Sequence, residues 1–155
     1  MPASDWLPAF DALSRMGTSA TTRHSGAFMN EPKDVAALCA ALDALPDDES
    51  RLPLLIELLS LDGHERHEDI VFDLGLLGNP SAIPAIVKAV SAPFPYLEQW
   101  GNLHAFQRKC AYALARIGTL ESREVLEHLA RHSDNQLREY GEEGLSKWPL
   151  PFVRR

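Results

Sequence analysis

The chain carries few of the residues that would tie it to a particular chemistry. Two cysteines in 155 residues are too few for a disulfide framework. Both Cys39 and Cys110 fall on apolar helical stripes, where a buried thiol is the expected state. No uninterrupted apolar run approaches the ~18 residues of a membrane span, so no membrane association is expected. The first ten residues, Met1 to Phe10, are acidic at Asp5 and lack the basic opening of a secretory signal. A reducing cytoplasm is therefore the expected location. Basic residues are also scarce, at 15 Lys and Arg against 22 Asp and Glu, a net charge of -7, which argues against nucleic acid as a partner. There is no glycine-rich phosphate loop, and no flanking motif singles out a Ser, Cys or Thr nucleophile. These absences argue against an enzyme and give no ground for a cofactor.

What the chain does have is a distribution. Its apolar fraction of 45% and charged fraction of 24% are those of an ordinary globular domain, and its length suits one domain with a real core. Residues 33–78 hold eleven acids against three bases, a net of -8 in a chain whose total is -7. One acidic half on an otherwise balanced molecule steers a basic partner or serves as a solubilising surface.

Residues 106–118 are the most regular stretch. Phe106, Cys110, Ala113, Leu114 and Ile117 follow the spacing of a buried helix face. Gly118 supplies the left-handed C-terminal position, and Thr119 is placed to cap the next helix. Upstream, Ser4 is placed to cap a short helix through Met16, residues 18–30 read as a loop, and Pro32 is expected to open a helix carrying Val35, Leu38, Cys39, Leu42 and Leu45. Pro46 and Asp47-Asp48-Glu49 end it.

From Ser50 the pattern repeats. The segments starting at Leu52, Ile83 and Arg123 are apolar helices, and each precedes a second helix: 66–78, 106–118 and 137–148. Leu74, Leu114 and Leu145 fall in register, as do Leu77, Ile117 and Trp148. The first two copies lie 31 residues apart and the next 40, a difference that nine extra residues around Pro93 to Asn102 account for. Two helices per unit, a period near 30 and the Gly78-Asn79-Pro80 junction describe an α-solenoid.

These units resemble HEAT-like repeats of the short bacterial kind also found in phycobilisome lyases. Leu137-Arg138 matches the Val-Arg pair of that pattern. Ala111, Ala113-Leu114 and Ile117-Gly118 match its second helix, and Leu74-Gly75 with Asn79-Pro80-Ser81-Ala82 matches the helix end and junction. The resemblance covers residues 50–148. It implies an all-α fold, an α-α superhelix (right-handed) of about three helix pairs in a single domain over residues 1–155. Residues 1–49 would cap it, 92–102 form an insertion and 149–155 a tail. Two residues depart from the pattern: Asp73 and Glu142 stand where small apolar residues are usual, and a core-facing carboxylate at Asp73 needs a partner. The family also includes a di-iron hydroxylase built on His-Glu pairs. Here His64, His67 and Glu68 form one cluster, but the corresponding turns carry Arg108-Lys109 and Glu139-Tyr140, so no metal is expected. A metal- or pigment-dependent enzyme, hydroxylase-like or lyase-like, is the alternative the resemblance leaves open.

The resemblance implies a binding surface along the second helices. The positions alternating with the buried stripe are Asp69, Phe72 and Leu76, then Lys109, Tyr112 and Arg116, then Tyr140, Glu143 and Lys147. Aromatics flanked by both charge signs have the composition of a protein interface; packing against neighbouring helices is the competing reading. The insertion adds Phe94, Tyr96 and Trp100, either as partner contacts or as an elbow folded over the core. Together with Glu68 and Asp69, these residues define an expected protein-binding module for a partner with a basic surface. Its compact, acidic format suits a bacterial immunity protein that neutralises a toxin by direct binding.

Overall fold

The structure, a computed structural model, describes residues 34–151. Among these residues there are eight α-helices, two short 3-10 turns and no strand. In chain order the helices are α1 (Val35–Ala44), α2 (Leu52–Leu59), α3 (His67–Leu77), α4 (Ile83–Val90), α5 (Pro95–Gln99), α6 (Leu103–Ile117), α7 (Leu120–Leu129) and α8 (Asn135–Lys147). The expected helix over Ser4 to Met16, the loop at 18–30 and the end of the tail lie outside the described residues.

The three expected pairs are present as α2/α3, α4/α6 and α7/α8, and α1 packs on α2. The first helices touch one another in the order α2, α4, α7, and the second helices in the order α3, α6, α8. The fold is thus two layers of helices with an apolar core between them. Leu74, Leu114, Leu55, Ile86, Leu126 and Phe106 are all fully buried in it, at roughly 1.5–3 kcal/mol of transfer free energy each. Cys39 and Cys110 are free and buried, and burial pushes the Cys110 thiol well above its ordinary range.

Local signals set the helix ends. Gly78 and Gly118 adopt positive φ of 66° and 70°, where a Cβ would be strained. Asn79 accepts from the Ser81 amide at 2.9 Å. Thr119 and Ser122 form a reciprocal capping box, each side chain taking the other's amide at 3.1 Å. The start of α1 differs from expectation: it begins at Val35 rather than Pro32, because the Asp34 carboxylate accepts from the Ala37 amide at 3.0 Å.

Both departures from the repeat pattern resolve in the structure. Asp73 is half-buried, and its partner is Arg51, 3.7 Å away; burial pushes its carboxyl up. Glu142 does not face the core and is exposed, consistent with a polar closing helix. Two glycines bring α8 close to its neighbours. A Cβ at Gly141 would lie 2.7 Å from the Leu129 carbonyl carbon, and one at Gly144 would lie 3.3 Å from the Ala111 carbonyl oxygen.

Candidate functional site

Helix α6 carries two stripes. One is the buried face through Phe106, Cys110, Leu114 and Ile117. The other runs through Ala105, Arg108, Lys109, Tyr112, Ala113 and Arg116, again at helical spacing. With Phe72 of α3, this second stripe lines a groove of about 290 Å³. The groove exists because α3 and α6 approach closely beyond it: a Cβ on Gly75 would lie 3.0 Å from the Ala113 Cα. Phe72, three residues earlier on α3, remains 47% exposed.

The charges around the groove are mostly paired. Lys109 Nζ lies 3.0 Å from Glu68 Oε2. Arg108 donates through Nε and Nη2 to the Glu143 carboxylate, the shortest contact being 2.6 Å, and Tyr112 donates its hydroxyl to the same carboxylate at 2.5 Å. Arg108 and then Tyr112 hold the Glu143 carboxyl below its usual range, and the bond to Glu143 raises the Tyr112 phenol. Arg116 has no ion pair within 4 Å among the described residues.

The structure therefore brings together Phe72, Lys109, Tyr112 and Arg116 as lining, with Glu68 and Glu143 as braces. Asp69 lines an adjacent hollow of about 330 Å³ with Asp43, Arg51, Arg66 and Asp73, and Phe72 borders both. There Arg66 grips Asp43 at 2.7 and 3.0 Å, and Arg51 donates to the Leu42 carbonyl at 3.3 Å. Tyr140 packs half-buried against the core, and burial raises its phenol; it does not line the groove.

The insertion is divided. Phe94 is only 5% exposed, since its ring stacks on His67 with centroids 3.9 Å apart. It is an elbow anchor and not an exposed contact. Tyr96 is half-buried, with its hydroxyl 2.9 Å from His67 Nδ1 and 3.2 Å from the His67 amide. Trp100 stands 55% exposed at the end of α5. His67 itself is fully buried, with Nε2 2.8 Å from the Leu61 carbonyl. Its partners fix the tautomer: Nε2–H donates to Leu61, and Nδ1 accepts from Tyr96. Burial, assisted by the neighbouring His64, pulls the imidazole down to about 4.

His64 is similarly engaged, with Nε2 2.7 Å from the Leu58 carbonyl and Nδ1 accepting from the Arg66 amide at 3.1 Å. All four ring nitrogens of the two histidines thus face protein partners. Among the described residues no three His, Cys, Asp or Glu side chains are grouped to hold an ion, and no helix is long and apolar enough to cross a membrane.

Arg108 is the site residue that sequence reasoning missed. The signal was present, because Arg108 lies four residues before Tyr112 and eight before Arg116 on the same helical stripe. In comparisons with family models, curated proteins and solved structures, the chain matches none.

Proposed function

We propose that this chain is a non-enzymatic protein-binding module of HEAT-like repeats that holds its partner against the second-helix face. Its format suits a cytoplasmic immunity protein that neutralises a toxin by direct binding. The observation that carries the reading is Phe72. A phenylalanine 47% exposed on a helix, between two hollows and among charges of both signs, has the makings of an interface anchor. Lys109 and Arg108 are already neutralised by carboxylates of α3 and α8, so the surface is held in place before a partner arrives, which lowers the ordering cost of binding. In the adjacent hollow Asp43 and Asp73 are paired with Arg66 and Arg51, which leaves the exposed Asp69 to meet a basic residue of that partner.

A photo-crosslinking amino acid placed at Phe72 in cells that express the protein tests this. A defined protein adduct from position 72, absent when the same group is placed at the exposed Leu120 of α7, is the expected result. Equal labelling from both positions, or none from either, would overturn the reading.

A further inference from the structure

We propose that the α3/α6 groove takes an apolar side chain of the partner with a carboxylate beside it, and that Arg116 is the cation that holds the carboxylate. This rests on the protein-binding reading and specifies what one part of that surface recognises. Three cations line the groove: Arg108, Lys109 and Arg116. Two of them have carboxylate partners within the molecule, Glu143 at 2.6 Å and Glu68 at 3.0 Å. Arg116 has none within 4 Å among the described residues. Its stem is not loose, because Cδ lies 3.3 Å from where a Cβ on Gly75 would sit. The guanidinium therefore projects from a packed stem, and its donor fork remains open to a carboxylate.

The floor dictates the other half of the ligand. Phe72, Ala105, Ala113 and the Tyr112 ring present carbon to the groove, and about 290 Å³ accommodates one aromatic or large aliphatic side chain. A lysine or arginine entering here would meet the unpaired charge of Arg116 with like sign, whereas an aspartate or glutamate meets it with opposite sign; Arg108 and Lys109 are offset by Glu143 and Glu68 in either case. The groove and its neighbour thus select opposite signs: a carboxylate beside Arg116, and a basic group beside Asp69, the acid of that hollow without an ion pair among the described residues. Phe72 marks the boundary.

The test uses two capped synthetic pentapeptides, Gly-Phe-Asp-Glu-Gly and Gly-Phe-Lys-Lys-Gly, titrated into the isotope-labelled full chain and followed by amide NMR shifts. The acidic peptide is expected to move the Phe72, Tyr112, Ala113 and Arg116 amides and to bind on the order of tenfold tighter than the basic one, the effect of one charge-assisted pair. In Arg116→Glu the order should reverse, with amides outside the groove unmoved in the free protein. Equal or tighter binding of the basic peptide, or no groove shifts with either, overturns the inference. The crosslink from position 72 is read independently, so a partner adduct there combined with failure of the acidic peptide removes the carboxylate specificity and leaves the protein-binding reading standing.

Discussion

The Tyr112 hydroxyl of α6 donates to the Glu143 carboxylate of α8 at 2.5 Å, and Arg108, one turn earlier on α6, grips the same carboxylate. The guanidinium also sits 5.5 Å from the Tyr112 ring centroid, within cation–π range. One carboxylate from the last repeat thereby fixes two residues on the face of the middle repeat. Tyr112→Phe keeps the ring and removes one charge-assisted bond at a partly exposed site. Urea unfolding should show a loss of about 0.5–1 kcal/mol. An unchanged midpoint would mean that Arg108 alone holds Glu143.

His67 makes stability depend on pH. Its folded value, about 4, lies below the ordinary 6.5, so between those values the unfolded chain binds the proton and the folded one does not. Stability is then full above pH 6.5 and is lost as pH falls toward 4, by roughly 3 kcal/mol in all. His67→Gln should be less stable at pH 7 and should flatten the curve between pH 6.5 and 4. Parallel curves for the two proteins would show that His67 is protonated in the fold.

The residues that were legible in the sequence are those whose signal is local. Gly118 and Thr119 announced a helix end and the next helix start because capping needs only neighbouring atoms. The register of Leu74 and Leu114 was visible because one helical period repeats. The direction of the insertion's aromatics was not legible. Phe94 and Trp100 have similar composition-level signatures, yet Phe94 stacks on His67 and Trp100 faces outward, a choice made by a residue 27 positions before Phe94. The bracing of Arg108 by Glu143 was hidden in the same way, because 35 residues separate the partners.

Glycine ordinarily weakens a helix interior, but Gly141 and Gly144 of α8 sit where the neighbouring helices leave little room for a Cβ. In Gly141→Ala the new Cβ would meet the Leu129 carbonyl carbon at 2.7 Å and the Leu129 Cβ at 2.8 Å. Much of that obstacle is backbone, which no side-chain rotation relieves. The gain of about 1 kcal/mol that alanine normally brings to a helix interior should be outweighed by ~1–3 kcal/mol of overpacking. Denaturant unfolding decides the sign, and a stabilised variant would show that α7 and α8 can move apart freely.

The two aromatic ends of the insertion should behave oppositely. Phe94→Ala removes a buried ring from between His67 and Phe106, whose centroid lies 5.4 Å from it, and should cost about 3–5 kcal/mol. Trp100→Ala removes a ring that is 55% exposed and touches Tyr96 edge-on at 5.2 Å; it should cost under about 1 kcal/mol. Comparable losses in the two variants would mean that α5 is held through its outer end.

Acidic steering of a basic partner is tested most cleanly at Asp69. Its neighbour Glu68 is bound to Lys109 at 3.0 Å with its side chain only 22% exposed, so reversing Glu68 would also release a cation into the groove and confuse two effects. Asp69 is exposed and has no ion pair within 4 Å among the described residues. Asp69→Lys therefore changes the field beside Phe72 and leaves the groove's own pairs intact. Association with the protein captured at position 72 should slow about 3- to 10-fold at low salt and lose part of its salt dependence, with dissociation nearly unchanged. Stopped-flow mixing at several salt concentrations separates the two rates. An association rate that ignores the substitution at low salt would place the partner's basic groups away from this side of Phe72.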